Sequence, residues 1–160
     1  MAVVPLEGPN AAWTADAMEK AFRRWGAPRH LITDRGVQFT STAFGELLAH
    51  YAVKRRLGAV GKHGSIAVTE RVIETLKYEW LRRVPLLKGF SHLSRLGSEF
   101  SLWYNAFRPH TALGGARPDD LYFSHPFKPP GKTDKLVPPS VRRHRFTESG
   151  VTAYFLEDCA

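Results

Sequence analysis

Cysteine occurs once in the 160 residues, at Cys159. A single thiol excludes an internal disulfide framework and a cysteine-rich zinc module, and it suits a reducing compartment. Long apolar runs are missing too, and none approaches the ~18 consecutive residues a membrane helix needs. The opening Met1-Ala2-Val3-Val4-Pro5-Leu6-Glu7 has neither a positive stretch nor a long apolar core. No signal peptide and no membrane partner are therefore expected, and the predicted location is intracellular, in the cytoplasm. The seven histidines show no zinc-ligand spacing, and no internal repeat is present. Acidic residues are in the minority, with 15 Asp and Glu against 23 Lys and Arg, a formal charge of +8. That imbalance favours long-range attraction to polyanions, of which nucleic acid is the commonest.

What is present reads as a folded domain. A hydrophobic share of 43% and a charged share of 24% lie in the globular range, and the length suffices for a real core. Residues 1–12, with Pro5, Gly8, Pro9 and Asn10, read as an irregular lead-in. Thr14 is placed to cap a helix whose apolar positions are Met18, Ala21, Phe22 and Trp25, ended by Gly26 and Pro28. Leu31-Ile32-Thr33 reads as a short buried strand stopping at Asp34. Ser41 or Thr42 caps a second helix with Phe44, Leu47, Leu48 and Tyr51 inward, and residues 53–60 suggest another strand. A basic loop follows around Lys62 and His63, punctuated by Gly58, Gly61 and Gly64. Two long helices are predicted next, over about 67–83 and about 91–107. After Gly114 the prolines argue for an extended linker, and residues 141–146 and 151–156 for a hairpin. Helices alternating with strands imply a parallel α/β layer fold.

Two carboxylates stand out. Asp34 ends a strand, where α/β folds place ligand and metal sites, although it equally suits a turn with Arg35-Gly36. Glu70 opens a helix whose buried stripe is predicted to be Val72, Ile73, Leu76 and Trp80. Taken alone it reads as ordinary first-turn charge, and Glu70, Glu74 and Lys77 share one border of that stripe on a helical wheel.

Thirty-five residues separate the two acids. A strand-end Asp and a helical Glu at that distance resemble the D-35-E half of the DDE motif of retroviral integrases and bacterial insertion-sequence transposases. Trp25-Gly26-Ala27-Pro28, Thr33-Asp34-Arg35-Gly36 and Gln38-Phe39-Thr40-Ser41 resemble further blocks of that family. So do Glu70-Arg71 with Leu76-Lys77-Tyr78-Glu79, and residues 103–110 (WYNAFRPH) with Leu113 and Pro118. Five ordered blocks are far more specific than one.

The resemblance implies a ribonuclease-H-like integrase core over residues 13–123, followed by a basic, proline-rich extension over 124–160. It implies two-metal phosphoryl transfer on DNA, with Mg²⁺ or Mn²⁺ held by three carboxylates. Asp34 and Glu70 would be catalytic metal ligands. Lys77 would face DNA, and Lys62, His63 and Arg71 would contact phosphates, against plainer readings of Lys77 as a solvated helix lysine and of Lys62 and His63 as a solvated loop. Implied partners are transposon-end and target DNA, a second copy of the chain, or an intact transposase. Asn105 and Arg108 are read as structural, with Trp103 and Phe107 in the core.

The chain departs from the pattern at the first acid, which the family carries on a strand of an antiparallel unit lying before the first helix. Only Glu7, Asp16 and Glu19 precede Asp34; two of them sit on a predicted helix and Glu7 has no strand around it. A second departure is Ser65-Ile66-Ala67, where many relatives carry Asp-Asn-Ala. The expectation is a core lacking its first three strands, with open edges, weak metal binding and no catalysis alone. The alternative is a non-catalytic DNA-binding regulator or inhibitor of an intact transposase.

Overall fold

In the computed structural model, which describes residues 1–8, 10–58, 67–126 and 141–156, Asn10 begins the first helix. Its Oδ1 accepts from the N–H groups of Ala12 at 2.8 Å and Trp13 at 3.2 Å, so α1 spans Ala11–Trp25. Thr14 is therefore not the cap. It lies buried one turn inside, its hydroxyl donating to the Asn10 carbonyl at 2.8 Å. Asn satisfies two orphan donors at once, and Ala11-Ala12 carry the helix back to meet it. Gly26 ends α1 as expected, at φ +85°, its N–H bonded to Phe22 O.

The chain divides into two compact units, residues 6–75 and residues 1–5 with 76–160. In the first, β1 (His30–Thr33) pairs in parallel with β2 (Lys54–Leu57), from His30 opposite Lys54 to Thr33 opposite Leu57. The connection carries α2 (Val37–Thr40) and α3 (Thr42–His50), the helical crossover that parallel strands require. Ser41 caps α3, its Oγ accepting from Phe44 N at 3.3 Å. Phe22, Phe44, Leu48 and Val53 form the core, ringed by Met18, Leu31, Phe39, Leu47 and Tyr51. Phe39 meets Phe44 edge-on at 5.3 Å. Arg55 donates to the Phe39 carbonyl.

The expectation of a wholly buried first strand fails at Ile32, which is 48% exposed. Successive strand residues face opposite sides, and only the side carrying Leu31 and Thr33 is covered. Trp25 is likewise exposed rather than inward. The expected continuation of the second strand to Val60 falls outside the described residues, as do the loop residues Lys62 and His63.

The helix expected over 67–83 changes winding. α4 covers Ala67–Thr75, Leu76–Trp80 form a π turn, and Leu81–Arg83 a 3₁₀ turn. Of the expected buried stripe, Trp80 is completely buried and Val72 and Leu76 are half-buried, while Ile73, within the regular turns of α4, is exposed.

In the second unit Trp80 packs against Phe100, Trp103 and Phe146 at centroid distances of 5.8, 5.2 and 5.2 Å. α5 (Phe90–Leu102) buries His92, Leu96 and Phe100, and it passes into a π turn, Trp103–Phe107, rather than continuing as α-helix. Residues 1–5 lie along this helix. Val3 N donates to Ser101 Oγ at 3.0 Å, and a Cβ at Gly97 would stand 3.2 Å from the Val3 carbonyl, a tight contact that glycine avoids.

Within the stretch expected as linker, α6 (Pro118–Tyr122) forms, with Pro118 at its first position. Asp120, 2% exposed, reaches back to Arg117, accepting from its backbone N–H and Nε at 2.9 Å and from Nη2 at 2.7 Å. Hydrogen bonds from the guanidinium hold the Asp120 carboxyl below its ordinary pKa against the opposing effect of burial. A depressed carboxylate pKa contributes stability above the unfolded value near ~3.9, which is lost as pH falls through the folded one. Asp120→Asn is thus expected to lower the melting temperature at pH 7 and to differ progressively less from the parent below about pH 4. Calorimetry across that range checks it.

The expected hairpin is present: β3 (Val141–Arg145) pairs antiparallel with β4 (Thr152–Leu156). Glu99 of α5 secures its turn, accepting from Thr147 Oγ1, Glu148 N and Ser149 N at 3.2, 2.9 and 3.1 Å. Glu148 returns an ion pair to Arg95 at 2.8 Å.

Candidate functional site

Several residues in the five sequence blocks have structural duties. Gly26 terminates α1, Phe39 fills the core and Ser41 caps α3. Glu79 accepts from Arg108 Nη2 at 2.9 Å, binding two blocks together, and the same guanidinium lies 5.5 Å over the Trp103 ring. Asn105 holds Met1, its Nδ2 donating to the carbonyl at 2.6 Å and its Oδ1 accepting from the amine at 2.9 Å. His110 sits against the Tyr104 ring at 4.5 Å. The structural reading of Asn105 and Arg108 holds, and Trp103 and Phe107 are half-buried within the aromatic cluster.

Asp34 follows β1 directly, so the sequence places a carboxylate at the end of a parallel strand. The side chain is exposed rather than partly buried. Its Oδ1 accepts from Gly36 N at 2.8 Å, the turn that local sequence equally suggested, and its Oδ2 has no partner among the described residues. Glu70 stands in the first turn of α4, exposed and with no hydrogen bond or ion pair among the described residues. The two acids belong to the same unit. Both are oxygen donors of the kind a hard divalent cation takes. Among the described residues no group of three or more His, Cys, Asp or Glu is arranged to hold a metal ion.

The basic candidates differ among themselves. Arg71 pairs with Glu74 at 3.1 Å, both ends well exposed, an interaction of little energetic weight. Lys77 is exposed, and it lies on the π turn, where the winding is no longer that of a uniform α-helix. Sequence reasoning marked residues 132–145 as a basic, proline-rich stretch, either touching DNA or, the favoured reading, a solvated tail; it did not show that Arg143 and Arg145 share one hairpin face with Tyr154. Among the described residues no helix is long and apolar enough to cross a membrane.

Comparison with known proteins bears on the same stretches. Residues 51–118 match the model of the integrase core domain family. The chain is 30% identical over 115 residues to the uncharacterized protein K02A2.6 of Caenorhabditis elegans, covering 71% of this chain and 9% of that protein. It is 28% identical over 126 residues to an uncharacterized 31.7 kDa protein of insertion element IS407 from Burkholderia multivorans, covering 77% of this chain and 44% of that one. It thus spans less than half the length of either relative. Among solved structures, the HTLV-2 integrase catalytic core domain in complex with magnesium aligns with a TM-score of 0.58 at 21% identity, over 77% of this chain and 75% of that one. The BIV integrase catalytic core aligns with a TM-score of 0.61 at 20% identity, over 74% of each chain. The mixed α/β fold with its parallel strands is therefore that of the ribonuclease-H-like integrase cores, and residues 51–118 match the integrase core domain family.

Proposed function

We propose that residues 13–123 act as part of a DDE transposase core that binds DNA, with Asp34 and Glu70 as the second and third acids of its metal site. The observation carrying this reading is that Glu70, and Oδ2 of Asp34, have no structural partner among the described residues while neighbouring block residues do. An exposed acid at a strand end, with one oxygen fixed by Gly36 and the other free, is oriented without being consumed by the fold. Mg²⁺ or Mn²⁺, when bound, supplies charge neutralisation at a phosphoryl group. Two carboxylates fit one such ion weakly and fall short of the clamp that two ions need.

Lys77, Arg71, Lys62 and His63 would neutralise phosphates, fixing the position of DNA without reading its sequence. Arg71 exchanges its exposed contact with Glu74 for a phosphate at small cost. The solved HTLV-2 cores are described in dimeric and trimeric forms, and self-association of this chain belongs to the same reading. Ile32, Val37 and Leu57, all exposed on or beside the two-stranded sheet, favour it. A strand-transfer assay with the 160-residue chain, Mn²⁺ and a labelled DNA duplex tests the proposal. DNA should be retained, more weakly as salt rises, and no joined product should form. Joined product would overturn the reading of two acids as insufficient, and absence of any retention would overturn the DNA-binding role.

A further inference from the structure

We propose that the outer face of the β3–β4 hairpin is a binding surface for a single strand of nucleic acid, separate from the Asp34 and Glu70 site. Its register divides the hairpin into two faces. Arg143 lies opposite Tyr154 and Arg145 opposite Thr152, while His144 and Phe155 project the other way and pack on Phe107 at 5.0 and 5.5 Å. With the inner face taken up by packing, the outer face has no duty in the core. It carries Arg143, Arg145, Thr152 and Tyr154 around a groove of about 180 Å³.

Neither Arg143 nor Arg145 has an ion-pair partner among the described residues, although acids are available to other arginines nearby, as Glu148 is to Arg95. Two residues apart on a strand, their side chains repeat every ~6.8 Å, near the spacing of consecutive phosphates along one strand. Tyr154 is 69% exposed directly across from Arg143. A basic track with an open aromatic face beside it is the arrangement that holds unpaired bases by stacking and their backbone by charge. Duplex DNA offers phosphates but no open base face to the tyrosine, so the ring favours a single strand. Glu99 fixes the hairpin turn to α5, which pre-organises the surface.

This extends the nucleic-acid reading above to a second surface, and the test separates the two. Fluorescence anisotropy is measured on the full chain with a labelled 20-nucleotide oligothymidine in EDTA, so that no metal site contributes. Arg143→Gln with Arg145→Gln is expected to weaken binding at least tenfold and to reduce the slope of log K against log salt by about 1.4. Arg143→Lys with Arg145→Lys should restore that slope. Tyr154→Ala should weaken binding at least about fivefold with the slope unchanged. Lys20→Gln with Arg23→Gln removes the same charge from residues already paired to Asp16 and Glu19, and it controls for net charge. If the arginine pair weakens binding no more than the Lys20/Arg23 pair, or Tyr154→Ala binds like the parent, the proposal is overturned. A matching melting temperature for each variant shows that the hairpin is still folded. Aggregation of the glutamine pair with binding unchanged would make the arginines edge protection instead.

Discussion

Replacing Trp80 with alanine is expected to destabilise the unit of residues 1–5 and 76–160 by about 3–5 kcal/mol. The side chain has no exposed surface and is surrounded by Phe100, Trp103 and Phe146. Truncation removes its transfer energy and leaves a void beside the π turn, which has few ways to collapse. Trp80 also carries a buried indole N–H with no hydrogen-bond partner among the described residues. Trp80→Phe abolishes that donor while keeping most of the ring, so the gain from removing an unmet polar group partly offsets the smaller cavity. Urea unfolding should therefore rank the parent above Trp80→Phe, and Trp80→Phe well above Trp80→Ala. An alanine variant within about 1 kcal/mol of the parent would contradict the packing.

Phe44→Ala is expected to cost a similar ~3–5 kcal/mol in the other unit. Phe44 is fully buried at the start of α3 and meets Phe39 edge-on, and its N–H is the donor to the Ser41 cap. The loss should appear in hydrogen exchange as faster amide exchange in α3 and across the β1–β2 ladder. Leu47, only half-buried in the same cluster, should cost clearly less on truncation. Equal effects at Phe44 and Leu47 would show that the core is not centred where the structure has it.

These two residues also show what was legible in the sequence. Phe44 follows Ser41 at capping distance and recurs with Leu48 at helical spacing, so both the helix and its inward face could be read directly. Trp80 was expected inside as the last residue of a helical stripe, and it is buried, although a uniform wheel has no means of showing the π turn that it ends. Asn10 was passed over as a cap because Pro9 and Gly8 made its neighbourhood read as loop. α6 was hidden by its proline-rich surroundings, although Pro118 followed by Asp120 carries a helix-start signal. The hairpin was visible because Thr147-Glu148-Ser149-Gly150 interrupts two strand-like runs.

At the candidate site the pattern is reversed. Spacing and blocks singled out Asp34 and Glu70, and both are exposed, so burial would not have distinguished them. Their significance lies in the contrast with residues such as Glu79 and Asp120, which resemble them in charge and are tied to arginines.

Mn²⁺ titration of the 160-residue chain, followed by the paramagnetic resonance signal of the free ion, tests the central claim most directly. One weak site is predicted, with Asp34→Asn and Glu70→Gln each weakening it at least about tenfold. Asp16→Asn, which only breaks an exposed pair with Lys20, should leave the titration unchanged. Asp34→Asn and Glu70→Gln chains that both titrate like the parent would contradict the assignment of these two acids as metal ligands.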